Sequence, residues 1–108
     1  FKDLIVWQKA KSLAVEIYRI TNNFPKNEMY GLSSQMQRAA VSISSNIAES
    51  YHRRNKKDKD RFISIAYGSG SELESQIEIA KELYPVLKYK EAENLLVETM
   101  KILNKFLH

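Results

Sequence analysis

Apolar side chains recur along this chain at helical intervals. Val6, Ala10, Leu13, Ile17 and Ile20 step by four, three, four and three residues, and Trp7, Ala14 and Tyr18 widen the stripe. That is the apolar face of a helix in a bundle. Asp3 is its predicted N-cap. The helix should end near Asn22-Asn23, because Pro25 pushes Phe24 into extended geometry. Residues 24–31 read as a linker closed by Gly31. A second helix is expected from about Ser33 to Ser50. Leu32, Met36, Ala39, Ala40, Ile43 and Ile47 form its inner face, with Asn46 beside them. Ala39 and Ala40 are small enough for a close helix approach.

The third segment turns on Gly68-Ser69-Gly70-Ser71. Taken alone it reads as a linker, and Ser71 with Glu74 imitates a capping box. Each glycine inside a helix costs roughly 1 kcal/mol relative to alanine. Yet Phe62, Ala66, Ser69, Leu73, Gln76, Ala80 and Leu83 keep one register straight through the glycines, and a loop has no reason to preserve phase. The pattern therefore predicts one long helix, about 58–84, with a small-residue waist at Ala66, Ser69 and Gly70. Gly68 and Gly70 are expected to be packing residues at a close helix crossing. Tyr84-Pro85 stops the helix. A fourth runs from about Tyr89 to Phe106, with Ala92, Leu95, Leu96, Thr99, Ile102, Leu103 and Phe106 inward. Short connections favour antiparallel neighbours, hence an all-α, up-down-up-down four-helix bundle.

Composition narrows the function. A chain of 108 residues is one domain's worth, spanning residues 1–108. The absence of cysteine excludes disulfides, thiolate metal sites and cysteine catalysis, and two histidines are too few for a polyhistidine zinc centre. No apolar run approaches a membrane span. No basic-then-apolar leader opens the sequence, so the expectation is a cytoplasmic protein.

The net charge of +4 is unevenly placed. Residues 1–50 contribute +2 and residues 62–108 contribute −2. Residues 51–61 alone contribute +4, from Arg53, Arg54, Lys56, Lys57, Lys59 and Arg61 against Asp58 and Asp60. Phosphate binding depends on local counterion release, so a local cluster is what a polyanion contact needs. A Lys/Arg-rich interhelical turn also serves solubility alone. Tyr51, beside His52 and these cations, adds a stacking platform. Tyr51, Arg53, Arg54, Lys56, Lys57, Lys59 and Arg61 are thus the candidate nucleic-acid-binding residues, suited to RNA or DNA contact without sequence reading.

Other chemistry is poorly supported. Glu49 and His52 have the Glu-x-x-His spacing of di-iron bundles, but it occurs once, and His108 has no glutamate three residues earlier. Ser42, Ser44 and Ser45 lie on a helix with no strand-to-helix elbow. Gly68-x-Gly70 follows a helix and lacks the third glycine of a phosphate loop. No catalytic residue, metal ligand or cofactor is assigned, and the protein is not expected to be an enzyme. Asn46 is expected to fix register by a hydrogen bond. Glu74, Glu78 and Glu82, four residues apart, repel one another. They form either a solvated acidic face or one offset by a basic surface on a neighbouring subunit. Trp7, Tyr18, Tyr67 and Ile79 exceed a narrow bundle seam, and such surplus apolar surface marks a subunit interface.

Several phrases occur in order: Asp3-Leu4, Val6-Trp7 and Ala10; Phe24-Pro25, Glu28 and Tyr30-Gly31-Leu32; Gln35, Arg38-Ala39-Ala40, Ser42-Ile43 and Asn46-Ile47-Ala48-Glu49; then Ala66, Gly68-Ser69 and Glu72-Leu73. Together they resemble the four-helix bundle proteins encoded in intervening sequences of bacterial 23S ribosomal RNA genes. The likeness spans roughly residues 1–84, and the fourth helix matches by pattern only. Two departures are Ser44, where the family usually has proline, and Ser50, where it has glycine; they leave open the path of helix 2 toward the basic segment. The resemblance implies a ring-shaped homopentamer of largely unassigned function. A related branch, the accessory proteins of diversity-generating retroelements, works with a reverse transcriptase and binds nucleic acid. The expectation is therefore an oligomeric nucleic-acid-binding protein; the alternative is a scaffold that docks a protein partner without touching nucleic acid.

Overall fold

The computed structural model describes residues 1–28 and 30–107. Four helices follow one another: α1 (Ile5–Thr21), α2 (Leu32–Tyr51), α3 (Lys56–Leu83) and α4 (Lys90–Leu107), with one 3-10 turn at Lys26–Glu28. No strand occurs among the described residues. Each helix packs on its chain neighbours and α1 closes the square against α4, so the diagonal pairs stay apart. The molecule is an all-α four-helix bundle with a long axis of 44 Å. That axis is about the length of α3, at ~1.5 Å per residue. No helix of the described residues is long and apolar enough to cross a membrane.

The core follows the periodicity closely in α1 and α2. Val6, Ala10, Leu13, Ile17 and Ile20 are buried against Met36, Ala39, Ala40, Ile43 and Ile47. Trp7, Leu32 and Tyr67 are half-buried at its margin. Asn46 Nδ2 donates to the Ser42 carbonyl (2.8 Å) and Ser42 Oγ (3.0 Å), and Ser42 Oγ lies 2.8 Å from Ser69 Oγ on α3. A small polar relay therefore sets the register of α2 on α3 at the waist. α2 runs unbroken through Ser44 and Ser50, whose hydroxyls donate to the carbonyls three residues back, Val41 and Ile47.

Four expectations need correction. Asp3 does not cap α1: the N-cap position is Leu4, with no side-chain hydrogen bond. The buried stripe of α3 is Ile63, Ala66, Gly70, Leu73, Gln76, Ile77 and Ala80; Phe62 and Ser69 are half-buried and Leu83 is exposed. Because α3 packs on both α2 and α4, its core line falls between two possible apolar registers. Gly70 is a packing glycine, since a Cβ there would run into Met100 Sδ, but a Cβ on Gly68 would meet nothing within 4 Å. Phe106 is exposed rather than inward.

The end carrying the α3–α4 connection is clasped by side chains. Glu28 Oε1 accepts from the Leu32 N–H (3.3 Å) at the start of α2, and Oε2 accepts from the Tyr84 hydroxyl (2.6 Å). Phe24 stacks on Tyr84 with ring centres 4.6 Å apart. The Tyr89 hydroxyl donates to the carbonyls of Ala80 (3.1 Å) and Tyr84 (2.9 Å), which also accept the backbone N–H groups of Tyr84 (2.7 Å) and Leu87 (3.3 Å).

Candidate nucleic-acid interface

The basic segment lies at the opposite end of the bundle, where α2 ends and α3 begins. The connection is short, His52 to Asn55. The His52 N–H donates to the Glu49 carbonyl (3.1 Å) and the Arg53 N–H to that of Ser50 (3.2 Å), closing α2. Asn55 caps α3: its Oδ1 accepts from the Asp58 N–H (2.8 Å) and its Nδ2 donates to Asp58 Oδ2 (3.3 Å). That cap starts α3 at Lys56, two residues before the expected Asp58. Lys56, Lys57, Lys59 and Arg61 therefore belong to the first two helical turns, and the 100° step between residues spreads them around the axis.

The seven predicted residues thus form three groups rather than one patch. Arg53 pairs with Glu49, and its Nε is buried without a hydrogen-bond partner. Its guanidinium carbon lies 4.7 Å from the Phe62 ring centre, and that of Arg61 lies 4.5 Å from the same ring. Tyr51, Lys56 and Lys59 border a hollow of about 300 Å³ whose other walls include Leu4, Ile47, Ile63 and Phe106. Lys56 is held by Asp60 at 2.6 Å. Arg54 and Lys57 stand in solvent. Among the described residues, Arg54, Lys57 and Lys59 have neither an ion-pair partner nor an aromatic ring beneath them.

Sequence reasoning missed two aromatic participants. Phe1 meets Trp7 edge-on at 5.1 Å and His52 at 5.6 Å, and His52 meets Tyr51 at 5.9 Å. The rings Trp7, Phe1, His52 and Tyr51 form an edge-to-face row beside the cations. Antiparallel packing brings the start of α1 to the end of α2, and only that topology makes the row. Glu49 and His52 do not converge as metal ligands, since the Glu49 carboxylate is taken by Arg53. His108 lies outside the described residues.

Electrostatically, the placement of the cations is unfavourable to the helix. The N-terminal end of a helix carries partial positive charge, and a cation there costs about 0.3–1 kcal/mol. Four of the six cations occupy that end of α3, and Asp58 and Asp60 offset part of the cost. Such an end attracts anions.

Fold and interface together define a small four-helix bundle with cations and aromatic rings gathered at one end. The chain belongs to the 23S rRNA-intervening sequence protein family, which it matches over residues 2–105. Its fold is also that of a protein of unknown function from the S23 ribosomal protein family of Bacteroides thetaiotaomicron. The two superpose with a TM-score of 0.80, covering 95% of this chain and 98% of that one at 24% identity. No curated protein matches the chain.

Proposed function

We propose that this protein is a non-catalytic nucleic-acid-binding bundle that works as an assembly of several copies in the bacterial cytoplasm. The observation that carries the reading is the set of unpartnered cations Arg54, Lys57 and Lys59 at the N-terminal end of α3, beside an edge-to-face aromatic row. Cations there oppose the helix dipole, so folding gains nothing from them, whereas a phosphate backbone gains from both cations and dipole. Tyr51, half exposed, offers a ring face to an unstacked base. Repetition of the end around an assembly would multiply weak binding into avidity. The sequence contributes the non-catalytic part of the reading, because it offers no nucleophile–base pair and no phosphate loop.

A salt titration of binding to generic single-stranded RNA and to duplex DNA tests the reading. Affinity should fall steeply with salt for both. The Arg54→Ala/Lys57→Ala/Lys59→Ala variant should bind every sequence more weakly by a similar factor. Its log–log salt slope should shrink by about 0.7–0.9 for each phosphate that the variant no longer neutralises. Binding by the variant equal to the parent at every salt concentration would overturn the interface and favour a protein-docking scaffold. Tyr30 and Val86, about nine-tenths exposed near the Tyr84 clasp, are the apolar surface such a partner would use.

A further inference from the structure

The two ends of the core are finished differently. At the clasped end the rings of Phe24 and Tyr89 are part of the core, only 7% and 6% exposed. At the basic end the rings that stand over the core, Tyr51 of α2 and Phe106 of α4, are 53% and 51% exposed. Both border the hollow of about 300 Å³, which reaches down to the buried core residues Val6, Ile47 and Ile63. Leu4, at the N-cap of α1, completes its apolar wall. All four helices contribute, so the hollow is an open mouth of the bundle rather than a groove between two helices.

The first turns of α3 supply its charged lining. Lys56, Lys59 and Asp60 stand there, and Asp60 Oδ2 accepts from Lys56 Nζ at 2.6 Å. That pair cancels, and Lys59 has no ion-pair partner among the described residues. An apolar floor, two half-exposed rings and one uncompensated cation suit a flat, uncharged ring with an anion close beside it. A nucleotide unit has that form. The volume sits at the lower end of the range of about 300–1,000 Å³ found for small-molecule sites, which suits a single ring system. Tyr51 is also the last ring of the row Trp7, Phe1, His52 and Tyr51, so a strand lying along that row passes the hollow.

We propose that this hollow takes one unstacked base of a single-stranded nucleic acid, with the adjoining phosphate on Lys59, an assignment that rests on the nucleic-acid reading above and names the form of nucleic acid bound. Tyr51 and Phe106 supply ring faces, and Leu4, Val6, Ile47 and Ile63 the apolar surround. In a duplex the faces of each base are stacked on its neighbours and withheld from the hollow, so a duplex gains the phosphate contacts alone. Stacking is tolerant of base identity, and the site therefore separates single strands from duplexes without reading sequence. It also adds affinity that owes nothing to released counterions and persists at salt concentrations that weaken the phosphate contacts.

Titrations with two probes test the site: a short single-stranded DNA, and an abasic oligomer with the same number of phosphates. The parent should bind the base-bearing strand roughly 5- to 100-fold more tightly, the effect of one stacked base. The two salt plots should run parallel, because the phosphates are the same. Phe106→Ala removes one ring and Leu4→Trp fills the hollow. Each should bring the base-bearing strand down toward the abasic affinity and leave the abasic affinity unchanged, whereas Tyr51→Phe keeps its ring and should keep the preference. Leu4 is half-buried and Phe106 exposed, and circular dichroism checks that both variants remain helical. Equal affinity of the parent for the two probes would overturn the base site and leave the phosphate contacts standing. A preference that survives in folded Phe106→Ala and Leu4→Trp, or equal losses for both probes, would overturn it too. Arg54→Ala/Lys57→Ala, which spares Lys59, should weaken both probes by a similar factor and preserve their ratio. The ratio reports the hollow and the salt slope reports the cations, so the base site and the phosphate reading fail in separate quantities.

Discussion

Gly68 and Gly70 sit two residues apart in the middle of α3 and do different work. A methyl group on Gly68 meets open space, whereas one on Gly70 would collide with Met100 on α4. Helix propensity favours alanine over glycine by about 0.8–1 kcal/mol. Gly68→Ala should therefore raise stability by about 0.5–1 kcal/mol in urea denaturation. Gly70→Val should lose about 1–3 kcal/mol, because Met100 must leave a packed position. Equal responses at the two sites would contradict the close approach of α3 and α4 there. Sequence phase identified both residues as helical; which of them faces a neighbour depended on the core line of α3 passing through Ile63 and Ile77 rather than Phe62 and Leu83.

At the scale of the element, α3 is 28 residues long and carries its cations at the end where they are least welcome. Asn55 is what holds that end. Replacing an N-cap asparagine by alanine costs about 1 kcal/mol. Asn55→Ala should lower the midpoint of thermal unfolding accordingly and raise amide exchange in residues 56–59. Removing the cations should do the opposite: the Arg54→Ala/Lys57→Ala/Lys59→Ala variant should be as stable as the parent or slightly more so, since each replaced cation relieves an unfavourable dipole interaction. Lower stability in that variant would make Arg54, Lys57 and Lys59 structural. The charge surplus of residues 51–61 was plain in the sequence. Its division into three groups was not, because it follows from a helix start two residues earlier than the pattern suggested.

Across the whole molecule, the two ends respond to different conditions. The clasped end gathers three groups whose protons are held tightly. Lys81 is raised above its ordinary 10.5, chiefly by its hydrogen bond to Glu93. Tyr84 is raised above 10.0, chiefly by donating to Glu28 and then by burial, and Tyr89 is raised by burial. The unfolded chain releases these protons at the ordinary values and the folded chain holds them longer. Their contribution is therefore complete below about pH 10 and is lost as pH climbs through the folded values. Urea midpoints should be level from pH 8 to about 10 and fall above it. Tyr84→Phe should be less stable than the parent at pH 8 yet show a flatter alkaline limb, since it has one tightly held proton fewer. An unchanged limb in Tyr84→Phe would place the alkaline transition elsewhere in the bundle. The basic end should answer to ionic strength instead, through the phosphate contacts proposed for it.

Periodicity and composition by themselves determined four helices, the continuity of α3 through its glycines, most of the core in α1, α2 and α4, and the location of the charge surplus. These are local properties, set by spacing along one chain. The tertiary structure alone decided what depends on distant residues meeting. It placed Gly70 against Met100, and it gave the Glu28 carboxylate both the start of α2 and the hydroxyl of Tyr84. It also joined Phe1 and Trp7 to His52 and Tyr51 in one aromatic row. Each of these is a meeting across the bundle, and no pattern along a single helix encodes which face of another it will meet.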